Sequence, residues 1–293
     1  MENISIKKTR IARLSVFSNS LLIAMKLIVG IISGSVSIIS EAIHSSMDLV
    51  AALIAFFAVR VSDTPPDSRH PYGHGKVENI SGVIEGVLIL IAAGVIIIEA
   101  VKKITGGHSL PEAVWIGALV MLVSGIVNII VSRRLYKVAR ETGSLALEAD
   151  ALHLKTDVYT SLGVAAGLGV IYFTGIVWLD PVIAILVALF ILKESYNLIA
   201  RAFAPLLDTS WSEAEIKDLK THLSGMKVDF HDLRTRVAGN YRFVDLHIEI
   251  PADESVGNAH SYCDMIEDKL KDIYANLTVT IHVEPCSRRL KTS

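Results

Sequence analysis

A chain of 293 residues with 52% hydrophobic residues and a mean hydropathy of +0.49 is too apolar for an ordinary soluble protein. The net charge of −2 says little as a total, but its distribution does: Asp, Glu, Lys and His concentrate in the last third, so a membrane domain followed by a soluble one is expected. Only Cys263 and Cys286 are present, which excludes a disulfide framework and suits a reducing compartment.

Lys7, Lys8, Arg10 and Arg13 precede a first apolar run. The run is long and lacks a small-residue cleavage pattern, so it reads as an uncleaved span. Spans are predicted over residues 14–32, 37–59, 80–101, 113–135, 145–173 and 177–200, each near the length that crosses a bilayer. Gly82-x-x-x-Gly86 and Gly163-x-x-x-Gly167 fit close helix packing in lipid. Arg60, Arg69 and Lys76 lie between the second and third spans, and Arg133, Arg134, Lys137 and Arg140 between the fourth and fifth. With the amino-terminal basic residues they outnumber Lys102 and Lys103 on the other side. Both termini are therefore expected in the cytoplasm, in a multi-pass membrane protein.

After Pro205 the pattern changes. Ser212 with Glu215 forms a capping box that opens a helix to about residue 223. Strands are predicted at 231–238 and 241–250 around the Gly239-Asn240 turn, then a helix at 259–274 and a strand at 278–283. Along the second strand, Phe243, Leu246, Ile248 and Ile250 are set against Asp245, His247 and Glu249. The αββαβ order suits a small α+β domain of the ferredoxin-like, metallochaperone-like kind, with both helices on one sheet face. Its core is small, which implies pairing with a second copy. The fold class is thus a six-transmembrane-helix bundle (residues 1–207) followed by a small cytoplasmic α+β domain (residues 208–293).

The chemistry concentrates in two stretches that both read His-x-x-x-Asp: His44 with Asp48 in the second span, and His153 with Asp157 in the fifth. Residues four apart share a helix face. An ionisable group at mid-bilayer costs on the order of 2.5–3.5 kcal/mol, so these groups need a reason to be there. Face to face, the two helices would offer two nitrogens and two oxygens, a tetrahedral set suited to Zn²⁺ and also to Co²⁺ or Fe²⁺. The ligands must shed protons to bind, so metal and protons compete for the same atoms.

The six spans, the paired motifs, the segment Asp67-Ser-Arg-His-Pro-Tyr-Gly-His-Gly-Lys76 and the αββαβ tail together resemble the cation diffusion facilitator family, in particular its bacterial YiiP-like zinc and iron exporters. The resemblance implies a homodimer in the lipid bilayer that exchanges cytoplasmic metal for external protons by alternating access. It implies a secondary transporter rather than an enzyme, with no catalytic residues and no nucleic-acid partner. Many bacterial relatives carry Asp where this chain has His44. The two-His, two-Asp set resembles the zinc transporters of eukaryotes, which favours Zn²⁺ over Cd²⁺.

Asp67, His70 and His74 either form a structural turn or match a second, weaker zinc site implied by the resemblance. In the soluble domain His231, His247, His260, His282 and Glu284 match cytoplasmic zinc sites of the YiiP-like type, where bound zinc has a regulatory part. Lys76 and Glu78 are expected to pair with that domain. Glu85, in the third span, is a candidate for lining the path, carrying a proton or pairing with Asn19 or Asn128. The function expected is Zn²⁺/H⁺ antiport. The alternatives are a broader exporter of Fe²⁺, Co²⁺ and Cd²⁺, or a metal-gated channel or receptor. An intramembrane metalloprotease is disfavoured, because no His-Glu-x-x-His is present.

Overall fold

The computed structural model describes residues 4–33, 36–106, 114–174 and 179–286. Six long helices come first: α1 (Ile4–Ser33), α2 (Val36–Ser62), α3 (Lys76–Gly106), α4 (Val114–Thr142), α5 (Leu145–Thr174) and α6 (Leu179–Phe203). Several run past the apolar stretch that marked them. The added turns carry Lys7, Lys8, Lys76, Lys137 and Arg140, because backbone hydrogen bonding continues where lipid contact ends. Among the described residues α1, α2, α3, α4 and α6 are long and apolar enough to cross a membrane. α5 is of similar length but carries Glu148, Asp150, Lys155 and Asp157 in its first half.

α3 packs chiefly on α6, α1 on α2, and α4 on α5. A Cβ added at Gly82 would stand 3.0 Å from Ala202 Cβ, and one at Gly86 would stand 2.5 Å from Ile199 Cγ1. The small residues thus let α3 and α6 approach closely. Asn79 Nδ2 donates to the Ala202 carbonyl at 3.2 Å, and Ser195 Oγ donates to the Gly86 carbonyl at 2.5 Å. The surroundings of Gly163 and Gly167 lie outside the described residues. The polarity of the bundle is the inverse of a soluble protein's. Phe17, Leu21, Ile28 and Ile31 are exposed, whereas Ser15, Asn19, Lys26, Asp48, Glu85 and Asp150 are buried.

One buried tie joins four helix ends. The Lys8 ammonium of α1 lies 2.6 Å from Asp63 Oδ1, just past α2, and 2.8 Å from Glu78 Oε1 of α3. Ser62 Oγ donates to Glu78 Oε1 at 2.9 Å, and Ser144 Oγ, at the start of α5, donates to Glu78 Oε2 at 2.5 Å. Glu78 is 2% exposed. This corrects the expectation that it pairs with the soluble domain: the Lys8 ammonium, brought in from the far end of the chain, holds it inside the bundle.

The chain divides into two compact units, Met1–Phe203 and Ala204–Ser293. The second opens on a 3-10 turn (Ala204–Leu207) and continues as α7 (Glu213–Gly225), β1 (Phe230–Ala238), β2 (Tyr241–Ile250), α8 (Val256–Ile273) and β3 (Leu277–Pro285). Ser212 and Glu215 form the expected capping box of α7. β1 and β2 form an antiparallel hairpin through Gly239 at φ 58°, and β3 joins β2 in parallel after the α8 crossover, giving the order β1-β2-β3. Leu219 and Leu223 of α7 and Ile266 and Leu270 of α8 pack with Val244, Leu246, Ile248 and Ile250 of β2. Phe243 departs from the expected pattern: it lies on the opposite face, 5% exposed, with the Arg236 guanidinium 4.1 Å from its ring centroid. α8 starts ahead of the expected residue 259, because Ser255 caps it by accepting the Asn258 N–H at 3.2 Å.

Candidate metal centres

The first centre forms where α2 meets α5. Asp48, His153 and Asp157 each offer a ligand atom, and these atoms lie within 4.8 Å of one another. His153 Nε2 stands 3.1 Å from Asp48 Oδ1, and both residues are buried. His153 Nδ1 is buried with no hydrogen-bond partner. The helical period explains the grouping, since the four-residue step puts His153 and Asp157 on one face of α5. His44 lies on α2 one turn before Asp48, and its side chain is outside the described residues, as is that of Glu41. Lys155 turns away, its ammonium 5.5 Å from the Tyr136 ring centroid and 5.3 Å from that of Tyr159.

The motif spacing missed Asp150. It is 0% exposed and faces the Ser15 hydroxyl of α1. Its charge interacts with those of His153 and Asp48. A step of three before His153 keeps it on the stripe that carries His153 and Asp157. Glu85 is also 0% exposed. It takes a hydrogen bond from Ser81 Oγ at 2.9 Å rather than from Asn19 or Asn128, and its other oxygen is unpartnered. Asn19, Ser124 and Asn128 likewise hold buried polar atoms without partners. Lipid cannot satisfy such atoms, so this interior suits water and ions.

The second centre lies between α2 and α3. Asp67 Oδ1 accepts the backbone N–H groups of His70 at 2.6 Å and Arg69 at 2.8 Å. These bonds hold the carboxyl below its ordinary range. Asp67 Oδ2 lies 3.4 Å from His74 Nε2, and Oδ1 lies 3.4 Å from His70 Nδ1. Gly73, at φ 84°, closes the turn by donating to the His70 carbonyl at 2.9 Å. The segment is thus both a built turn and a cluster of three ligand atoms within 4.8 Å of one another.

The third centre is made by strand register. His231 pairs with His247 across β1 and β2, and His247 pairs with His282 across β2 and β3. The three imidazoles form one row across the sheet. Glu284, two residues after His282, shares its face. Glu284 Oε1 stands 3.0 Å from His247 Nδ1, and Oε2 stands 3.2 Å from His231 Nε2. The His247 hydrogen bond, joined by the neighbouring imidazoles, holds the Glu284 carboxyl below its ordinary range. His231, His247 and Glu284 group within 4.8 Å. His282 stands next to them, its Nε2 3.7 Å from Glu284 Oε1. His260 is not brought into the cluster: it sits on α8, where its Nε2 faces Asp264 at 3.6 Å.

Known proteins match both units. Residues 12–207 match the family described as the cation efflux transmembrane domain, and residues 212–286 match the cation efflux protein cytoplasmic domain. An uncharacterized transporter of Synechocystis is 34% identical over 87% of this chain and 83% of its own. The cation-efflux pump FieF of Escherichia coli is 30% identical over 92% of this chain and 89% of its own. The manganese efflux system protein MneP of Bacillus subtilis is 28% identical over 94% and 95%.

Proposed function

Because the chain belongs to the cation efflux family, the cation diffusion facilitators, we propose that it exports Zn²⁺ in exchange for protons, as a homodimer working by alternating access. In this reading it lies in the inner membrane with both termini in the cytoplasm. One observation carries the proposal: two helices far apart in sequence bring Asp48, His153 and Asp157 within 4.8 Å of one another in the bundle interior. His44, on the Asp48 helix, would complete two nitrogens and two oxygens, a set that suits Zn²⁺. Protonation of the same atoms expels the metal, and this competition couples the two flows.

The cytoplasmic row of His231, His247, His282 and Glu284 is the regulatory zinc site in this reading, and Asp67, His70 and His74 form an auxiliary one. One relative is named for manganese efflux, so a wider cargo range, with Fe²⁺, Co²⁺ and Cd²⁺, is the second reading. Flux in proteoliposomes tests both, comparing Zn²⁺, Cd²⁺, Fe²⁺ and Mn²⁺ in the wild type and Asp157→Ala. The expected outcome is Zn²⁺ flux driven by a proton gradient and abolished in the variant. Flux that follows only the metal gradient would instead indicate a metal-gated channel, and equal flux in the two proteins would remove the centre from the mechanism.

A further inference from the structure

A cavity of about 870 Å³ opens between α4, α5 and α6. Its wall is graded along the helix axes. Near the end of α4 it presents Arg133, Lys137 and Arg140, and Arg201 joins them from the end of α6. Steps of four and three place the α4 residues on one helix face. Deeper in the bilayer the wall is Ile129 of α4 with Val158 and Leu162 of α5. Lys155 lies between these zones, held over the Tyr136 and Tyr159 rings.

The acidic residues on the wall do not cancel this charge. Glu148 is taken by Arg201 at 2.8 Å, and Glu141 pairs with Lys7 while also facing Lys137. Glu194 remains. Arg133 and Arg140 are exposed and make no hydrogen bond or ion pair among the described residues. A cation pathway would be poorly served by a mouth of this sign. A basic rim above an apolar slot, at the level of the lipid headgroups, matches a different ligand.

We propose that this cavity binds an anionic phospholipid, with its phosphate against Arg133, Lys137 and Arg140 and an acyl chain along Ile129, Val158 and Leu162. The charge comes from guanidinium and ammonium groups at a membrane edge, where each contributes attraction to anionic lipid. Guanidinium forks also match phosphate oxygens in pairs.

The test is native mass spectrometry of the full-length protein released from detergent, titrated with phosphatidylglycerol or with phosphatidylcholine of the same chains. The wild type should retain phosphatidylglycerol roughly tenfold better, and Arg133→Gln/Lys137→Gln/Arg140→Gln should lose that preference. Arg133→Lys/Arg140→Lys should keep most of it. Wild-type binding measured in nanodiscs should lose its preference as salt rises from about 0.1 M to 1 M, which needs no variant. Inorganic phosphate at millimolar concentration should not displace the lipid. Equal retention of the two lipids by the wild type, an unchanged preference in the glutamine variant, or displacement by phosphate alone would overturn the proposal.

Discussion

At Asp150 a fully buried carboxylate, faced by the Ser15 hydroxyl, stands three residues before His153, and its charge interacts with those of His153 and Asp48. On the proposed transport reading, removing that charge weakens the field that draws a divalent ion into the centre. Asp150→Asn is expected to raise the half-saturating Zn²⁺ concentration for transport roughly tenfold, the factor that about 1.4 kcal/mol gives. The maximal rate should change less, because the ligands themselves remain. An unchanged concentration dependence would show that the Asp150 charge does not reach the metal. His44 makes a different prediction. His44→Asp exchanges an imidazole for a carboxylate, so the preference for Zn²⁺ over Cd²⁺ should narrow in competition flux assays, and an unaltered ratio would place selectivity elsewhere. The His-x-x-x-Asp repeats were legible because a four-residue step is visible in any sequence. Asp150 was not, because its importance rests on burial, and three-residue steps between polar groups occur everywhere.

Elements differ in how sharply their neighbours constrain them. Gly86 faces Ile199 across the α3–α6 contact, whereas a Cβ at Gly94 would meet nothing within 4 Å. Gly86→Val is therefore expected to force the two helices apart and cost about 1–3 kcal/mol, while Gly94→Ala should be close to neutral in thermal unfolding of the detergent-solubilised protein. In the sheet, Glu284 holds its charge below the ordinary carboxylate range. Its stabilising contribution is full above the unfolded-state value and is lost as pH falls through the lowered folded one. The melting temperature of the 204–293 unit should fall on acidification below roughly pH 5, and Glu284→Gln should flatten that fall. Parallel curves for the two proteins would mean that the His247 contact does not persist in solution. Helix α7 was legible in its capping box, and β2 in its alternation. The start of α8 was hidden because Gly257 in its first turn masks the Ser255 cap, and Phe243 was misplaced because an arginine side chain covers it on the polar face.

For the whole molecule, the bundle of long helices and the αββαβ tail followed from hydropathy and periodicity, which are local. What could not be read was which distant groups meet. The α2–α5 convergence was a proposal from the sequence, and the role of Glu78 was misjudged outright, because its partner Lys8 lies 70 positions away. Lys8→Met should leave the buried Glu78 and the half-buried Asp63 without their cation. The expected loss is on the order of 3–5 kcal/mol, read as a lower melting temperature in detergent. An unshifted melting temperature would mean that the two carboxylates are satisfied without Lys8. The tie also has a chronology. Lys8 is made long before Glu78, and Ser144 follows Glu78 by a further 66 positions. During synthesis the lysine must wait, charged and solvated, until the third and fifth helices have been delivered. A chain abandoned before that point is expected to keep an open polar wound at its first turn, so quality-control proteases are offered a mark that only a completed bundle erases.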